Sequence, residues 1–242
     1  MDAGTYDASS IDLLFTVRVV DAPFGDGLLL TNQVTSTETN SAGAVSEDNA
    51  IIQFTLTEPA LSISKSVIAT SNAQAVIADA DGGAWSPAGV NWTAPGSTGN
   101  RFSGTLSSQA LGAQALDANV TGVDAGDVVS FALIVKNSGS GLNGAFDLLL
   151  RDVLPRGFAI PDGGVNLRVT DGAGRGLVYT LEGGGLFGTD GGLRLADPGL
   201  RDGSVDAYNA TSGRNIVVVT YDLLLASNPD GTAVQPGSTY LN

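Results

Sequence analysis

The amino-acid sequence predicts an all-β protein built from many short strands. Apolar and β-branched runs recur along the 242 residues, and clusters of Gly, Asn, Asp and Ser separate them. No window holds a helical period over three turns, although Ala110–Ala118 is predicted to form a short helix. This pattern is typical of a β-sandwich or a barrel. The predicted strands are Ile11–Val20, Leu28–Ser36, Ile51–Thr57, Leu61–Ala69, Val128–Val135, Phe146–Asp152, Val165–Thr170, Leu177–Leu181, Ile216–Leu225 and Ser238–Asn242.

The composition disfavours several classes of function. Hydrophobic residues make up 43% of the chain, and 25 acidic residues against 11 basic ones give a net charge of −14. Nucleic acids and anionic membranes attract positive surfaces, so neither is expected as a partner. No apolar run is long enough to cross a membrane. The chain lacks cysteine and histidine, so disulfides, thiolate nucleophiles and the commonest general base are all excluded. The sequence therefore predicts a protein without enzymatic turnover.

Two parts of the chain resemble each other. Ile11–Val20 is followed by Gly27-Leu-Leu-Leu-Thr-Asn32, and Ile216–Leu225 is followed by Gly237-Ser-Thr-Tyr-Leu-Asn242. Each pair is a long apolar strand, a turn containing glycine, and a shorter strand that reaches an asparagine. Such self-similarity indicates an array of repeats.

The repeat pattern predicts the domain boundaries. The Glu58-Pro59 step is interpreted as the joint, because proline restricts the backbone and suits a short stiff linker. Residues 1–58 are then the C-terminal part of an upstream repeat, which looks like a fragment of a longer protein. Residues 59–242 are a second repeat, interrupted by an insertion at about 71–118.

The insertion is rich in Ala, Gly, Ser, Thr and Asn. It is predicted to be a long surface loop with a small hairpin around Arg101–Leu106. Long ordered loops also carry binding sites, so a module that grips a glycan or another protein through this insertion is the alternative function. Trp85 and Trp92 are interpreted as a small core within the loop, with a carbohydrate-stacking surface as the alternative.

Three motifs carry a family resemblance. They are Leu61-Ser-Ile-Ser-Lys-Ser-Val, Ala125-Gly-Asp-Val-Val-Ser-Phe-Ala-Leu-Ile-Val-Lys-Asn-Ser-Gly and Leu150-Arg-Asp-Val-Leu-Pro-Arg-Gly-Phe. In this order they resemble a conserved repeat domain of unknown function found in prokaryotic cell-surface proteins, which is similar to the isopeptide-forming domains of Gram-positive pilins. The resemblance covers roughly residues 59–242, and the sequence departs from it in the insertion and in its shortened end.

The resemblance implies immunoglobulin-like β-sandwich modules arranged in tandem. Such modules occur in stalks, adhesins and envelope proteins, so it implies an extracellular or cell-surface location. It implies neighbouring repeats of the same chain as partners, with a glycan or a surface protein as a further partner. It also implies no catalysis on an external substrate.

Strand parity provides a candidate site independently of the resemblance. Side chains two residues apart share a face of a strand, so Lys65 shares its face with the apolar Leu61, Ile63 and Val67. Asp152 closes the apolar row Phe146, Leu148, Leu150 in the same way. Asn242 aligns with Tyr240, as Asn32 aligns with Leu30 and Val34 in the upstream copy. An amine, an acid and a carboxamide are therefore predicted to point inward.

Burial of these groups predicts a self-crosslink. Burial favours the neutral amine and the neutral acid, so Lys65 is predicted to attack the side-chain carbonyl of Asn242 while Asp152 polarises it. The product is an isopeptide bond formed once, with loss of ammonia. The alternative is an ion pair between Lys65 and Asp152, with Asn242 capping a strand end. Asp127 is the second candidate acid, ranked lower because Gly126-Asp127 is typical of a turn.

The sequence predicts no cofactor. Asp79-Ala-Asp81-Gly-Gly resembles the start of a calcium loop, but the closing glutamate of such a loop is missing. Solvated acids in a turn are the preferred interpretation of Asp79 and Asp81, with a weak calcium site as the alternative.

Overall fold

The computed structural model describes residues 13–18, 25–79 and 81–226. The described chain is almost entirely β-structure, which confirms the predicted all-β class. Its strands are β1 (Leu29–Thr39), β2 (Val45–Thr55), β3 (Leu61–Thr70), β4 (Val76–Ala78), β5 (Asn91–Trp92), β6 (Phe102–Ser103), β7 (Asn119–Thr121), β8 (Val128–Asn137), β9 (Leu149–Leu150), β10 (Phe158–Ala159), β11 (Arg168–Asp171), β12 (Tyr179–Glu182), β13 (Gly192–Leu195) and β14 (Ile216–Leu225). The predicted strand Ser238–Asn242 lies outside the described residues.

A helix, α1, spans Ser108–Ala113 and begins two residues earlier than predicted. It begins there because the side chain of Ser107 accepts a hydrogen bond from the backbone of Ala110, which caps the first turn. The prediction Ala110–Ala118 was wrong at its C-terminal end, because Gln114 is already extended. Among the described residues, no helix is long and apolar enough to span a membrane.

A central antiparallel sheet organises the molecule. Its strand order is β10-β14-β8-β3, and β11 also pairs with β14. The long strands β8 and β14 pair from Ile216 opposite Lys136 to Leu224 opposite Val128. Nearly every residue of both strands is buried, on both faces of the sheet. Their nearly continuous apolar sequences are typical of strands covered on both sides.

One face of the central sheet packs against a second sheet, whose strand order is β12-β13-β9. Leu150 of β9 and Leu193 and Leu195 of β13 are buried against this face. The central sheet contributes Phe131 and Tyr221, whose rings stack with centroids 5.5 Å apart. Two sheets packed face to face give the molecule a sandwich-like core.

The opposite face of the central sheet is covered by the insertion. Its buried residues Val90, Phe102, Leu106 and Leu116 pack against Ile68, Ala132, Ile134, Ile216 and Val218. The prediction of a long surface loop was therefore wrong. β8 and β14 present apolar side chains to both faces, so the second face requires a cover that the insertion supplies. The hairpin predicted around Arg101–Leu106 is present, because β5 and β6 form it and β6 lies within that range.

The β1–β2 hairpin projects from this module. Its two 11-residue strands pair from Leu29 opposite Thr55 to Thr39 opposite Val45. All residues of both strands except Asn32 are exposed. The Asp26 carboxylate holds the base of the hairpin by accepting hydrogen bonds from the backbone of Glu58 and from Ser140.

Two predicted strands are absent or much shorter among the described residues. Of Ile11–Val20, residues 13–18 are described and form no strand. Of Phe146–Asp152, only Leu149–Leu150 is a strand. Asp147 interrupts that run because its φ of 53° lies in the left-handed region, which is incompatible with an extended strand.

Candidate functional site

Lys65 lies in β3, opposite Leu133 of β8. Its side chain lies on the face of the central sheet that packs against the second sheet. The Lys65 Nζ lies 5.3 Å from the centroid of the Phe131 ring and 5.6 Å from that of Tyr221. The side chain is 21% exposed. The Lys65 amine therefore lies close to two aromatic rings, and its side chain is mostly withdrawn from water.

Asp152 lies two residues after β9 and meets Lys65. The Lys65 Nζ donates to both carboxylate oxygens, at 2.7 Å to Oδ2 and 2.9 Å to Oδ1. The Tyr221 hydroxyl donates to Oδ2 and the Val153 backbone donates to Oδ1. The Asp152 backbone N–H is in turn fixed by the Leu186 carbonyl at 2.9 Å. The carboxylate is held in place by side chains from two strands, β3 and β14, and by the backbone that follows it.

Burial lowers the pKa of Lys65 from its ordinary value, and this effect outweighs the hydrogen bond and the charge of Asp152, which raise it. The neutral amine is therefore more accessible than in a surface lysine. A neutral amine is a nucleophile, and a neighbouring carboxyl group can accept or donate its proton. The pair is chemically suited to attack on a carbonyl group placed next to Lys65.

The pair lies at one side of the sandwich, where both sheets end. β3 is the edge strand of the central sheet and β9 is the edge strand of the second sheet. The Lys65–Asp152 pair bridges the two edges. Ile63 and Val153 beside it are 61% and 77% exposed, so apolar surface accompanies the pair on this side.

The structure brings neither Asn32 nor Asp127 to this pair. Asn242 lies outside the described residues. Asn32 lies on the projecting hairpin, opposite Ile52. The Asp127 carboxylate accepts hydrogen bonds from the Asn72 side chain and the Asp124 backbone. Asp127 therefore caps the turn that precedes β8, as its lower ranking anticipated.

The Asp79 side chain caps the turn that follows it in the chain. Its Oδ1 accepts hydrogen bonds from the backbone of Asp81 at 3.1 Å and of Gly83 at 2.6 Å. Within the described ranges, no group of three or more His, Cys, Asp or Glu side chains is arranged to hold a metal ion.

Sequence reasoning missed a second buried pair, Arg101 and Asp222. The Asp222 carboxylate accepts hydrogen bonds from Arg101, Ser130 and Asn166 and from the Gly96 backbone. The Arg101 and Asp222 side chains are 1% and 3% exposed. Asp222 interrupts the apolar run Ile216–Leu225, which was the available signal, because a charge inside a buried strand requires a partner.

The insertion also shows where its tryptophans lie. Trp92 packs against Phe102 with ring centroids 5.2 Å apart, and its Nε1 donates to Ser86 Oγ at 3.1 Å. Trp85 and Trp92 both pack against the buried cluster of the insertion. Both rings thus help to cover the central sheet.

No family model, curated protein or solved structure matches the chain. The geometry of the Lys65–Asp152 pair and its surroundings therefore carries the functional interpretation by itself.

Proposed function

We propose that the chain is a structural or adhesive module of an extracellular repeat protein, made of immunoglobulin-like β-sandwich repeats in tandem. The observation that carries this proposal is the Lys65–Asp152 pair at the meeting point of two sheet edges. In this proposal the pair forms an isopeptide bond with an asparagine of the strand that closes the sandwich. The neighbouring repeats are the module's first partners.

The contacts of Lys65 support this chemistry. The nitrogen lies 2.7 Å from a carboxylate that can take up its proton, and burial favours the neutral amine. The Tyr221 hydroxyl and the Val153 backbone hold that carboxylate beside the amine. An attack geometry of this kind depends on groups that are fixed before the reaction.

The reaction balances without a further reagent. The Lys65 nitrogen attacks the side-chain carbonyl carbon of Asn242, and the bond from that carbon to the amide nitrogen breaks. Asp152 transfers the amine proton to the departing nitrogen, which leaves as ammonia. The product is an amide between the two side chains, formed in a single turnover.

A crosslink suits a load-bearing module that has no cysteine. In the loop-closure description, a bond that joins residues more than a hundred positions apart contributes about 4–5 kcal/mol to the free energy of unfolding. It also ties the first strand of the module to its last strand. A pulling force then bypasses the hydrogen bonds between the strands.

The test is the intact mass of the purified chain. We expect a mass about 17 Da below the calculated value, which corresponds to the loss of one ammonia. Lys65→Ala and Asp152→Ala should each restore the full mass, and Asn242→Ala should restore it in the monomer. Lys136→Ala is the matched control, because it removes the chain's other lysine, and it should leave the mass deficit unchanged.

Two results contradict the crosslink. One is the full calculated mass for the unsubstituted chain after prolonged incubation. The other is a deficit that persists in Lys65→Ala, since the lost ammonia would then come from another site.

A further inference from the structure

The side of the module that carries Lys65 has an open edge. We use this term for the outer side of β3 from Leu61 to Lys65, with which no strand of the described chain pairs. Farther along, the edge is covered, because the Val67 backbone donates to the Ala118 carbonyl at 3.0 Å. Unpaired backbone groups with exposed apolar neighbours form a template for an additional strand. Ile63 and Val153 supply those neighbours.

The β1–β2 hairpin presents a matching surface. Leu30, Val34, Ile52 and Phe54 share one of its faces, and they are 37–58% exposed. Asn32 lies among them on the same face, opposite Ile52. β1 pairs with β2 on one side only, so its other side is also free among the described residues.

The sequence connects the hairpin with the open edge. Gly27–Asn32 of β1 and its turn resemble Gly237–Asn242, the segment expected to close the sandwich beside Lys65. The hairpin therefore carries the same kind of strand, with its asparagine at the same position. Charge favours the contact as well, because residues 25–57 hold four acidic residues and no basic residue, whereas residues 151–156 hold two arginines and one aspartate.

The hairpin of a chain does not pack on that chain's own open edge, since all residues of its strands except Asn32 are exposed. Asp26 and the short link from β2 to β3 hold its base at the end of the module, and both strands project into solvent. The occupant that fits is a second copy of this chain. The two surfaces involved are different, so the contact is head-to-tail and continues into an open chain of molecules.

We propose that the β1–β2 hairpin of one copy adds to the open edge of a second copy in place of that copy's own Gly237–Asn242 segment, which places Asn32 beside Lys65 and Asp152 of that copy. This inference rests on the proposed crosslinking chemistry for its covalent step. The Lys65 amine attacks the Asn32 side-chain carbonyl carbon, the bond to the amide nitrogen breaks, and ammonia leaves with the transferred proton. The result joins two chains by an amide bond.

The covalent step is tested in the Asn242→Ala chain, which removes the competing asparagine of the same copy. We expect this chain to form a ladder of oligomers that survives denaturing electrophoresis. Adding Lys65→Ala or Asn32→Ala to it should each abolish the ladder. Mixing these two double variants should restore one product only, a dimer whose mass is about 17 Da below the sum of the two chains.

The docking step is tested without chemistry, by sedimentation of the Lys65→Ala chain over a range of concentrations. We expect reversible association that Leu30→Asp or Ile63→Asp weakens at least tenfold. Leu29→Asp is the matched control, because Leu29 lies on the opposite face of the same strand and is also exposed. It should leave the association unchanged.

The outcomes separate the inference from the proposed function. A monomer at every concentration, with the ammonia loss intact in the unsubstituted chain, overturns the docking and leaves the proposed crosslink standing. Association that depends on Leu30 and Ile63, without any ammonia loss, retains the docking and overturns the chemistry. Covalent oligomers that still form when Asn32→Ala is added to Asn242→Ala overturn the assignment of the hairpin as the docking segment.

Discussion

The two faces of the central sheet each bury a pair of opposite charges, and the two pairs differ in almost every respect. On one face Lys65 meets Asp152, with side chains 21% and 10% exposed. On the other face Arg101 meets Asp222, with side chains 1% and 3% exposed. Consecutive residues of β14 serve both pairs, because Tyr221 donates to Asp152 and its neighbour Asp222 faces the other way.

In the proposed function, this difference separates a structural ion pair from a reactive one. An arginine stays charged in proteins and offers a rigid fork of donors, so it fixes Asp222 and anchors the insertion to the sheet. A lysine loses its proton more readily when it is buried. The Lys65 side chain lies at the side of the sandwich where both sheets end, and it is 21% exposed.

The largest expected effect comes from breaking the Arg101–Asp222 pair. Asp222→Ala leaves the Arg101 guanidinium buried without its partner, and it also removes the acceptor for Ser130 and Asn166. We expect the free energy of unfolding to fall by about 3–5 kcal/mol. Chemical denaturation followed by tryptophan fluorescence measures it, since Trp85 and Trp92 lie in the insertion that the pair anchors.

A double variant sharpens that result. Arg101→Leu combined with Asp222→Val removes both charges and leaves apolar side chains in their place. We expect it to recover most of the stability lost in Asp222→Ala, because an unpaired buried charge is worse than none. A double variant as unstable as the single one would show that the hydrogen bonds, rather than the charge balance, hold the insertion.

Breaking the Lys65–Asp152 pair should have a smaller effect. In a background that carries both Asn32→Ala and Asn242→Ala, which prevents both expected crosslinks, Lys65→Ala leaves Asp152 with hydrogen bonds from Tyr221 and Val153. We expect a loss of about 1–2 kcal/mol, because the pair is partly exposed and its carboxylate keeps other donors. A loss as large as that of Asp222→Ala would contradict the distinction between the two pairs.

The sequence was sufficient for the fold class and for half of the site. The positions of β3, β8 and β14 followed from apolar runs, and two-residue parity placed Lys65 on the apolar side of β3. The contact between Lys65 and Asp152 joins residues 87 positions apart, and the apolar row before Asp152 was its signal. Parity succeeded even though Asp147 breaks that row, because Asp152 still enters at the edge of the second sheet.

The second layer could not be predicted from local patterns. The insertion is rich in small and polar residues, which are typical of loops, yet Leu106 and Leu116 are fully buried on the sheet. Its order comes from long-range contacts with β8 and β14 rather than from periodicity within the insertion. The nearly continuous apolar run Ile216–Leu225 is typical of a strand that is buried on both faces. Such a strand requires a cover on its second face, and this was the available signal.

The two pairs should also respond to pH at opposite ends of the scale. Burial raises the pKa of Asp222, but the hydrogen bonds from Arg101, Ser130, Asn166 and Gly96 outweigh it, so the net shift is downward from 3.8. The stability that Asp222 contributes is therefore complete above 3.8 and is lost as the pH falls through the lowered folded value. Comparing acid unfolding of the native chain and Asp222→Asn measures this contribution.

For Lys65 the window lies at alkaline pH. Its pKa is lowered by burial from 10.5, so between the folded value and 10.5 the unfolded chain holds the extra proton. In a chain that also carries Asn32→Ala and Asn242→Ala, where Lys65 keeps its free amine, stability should then rise with pH across that window, and Lys65→Met should remove the rise. The rate of ammonia loss should increase with pH for the same reason, since the neutral amine is the nucleophile. A rate that is flat from neutral to alkaline pH would contradict attack by Lys65.

The smallest effect is expected at an exposed pair, which tests whether burial separates the two faces. Arg194 on β13 forms an ion pair with Glu182 on β12, and its Nε lies 2.7 Å from Glu182 Oε1, as close as Lys65 lies to Asp152. The side chains of Arg194 and Glu182 are 39% and 42% exposed. We expect Glu182→Ala to leave the free energy of unfolding nearly unchanged, with any small effect disappearing in high salt. Distance alone would predict equal effects at these two pairs. If denaturation shows a loss at Glu182 comparable to that at Asp222, burial is not what sets the strength of the ion pairs in this sandwich.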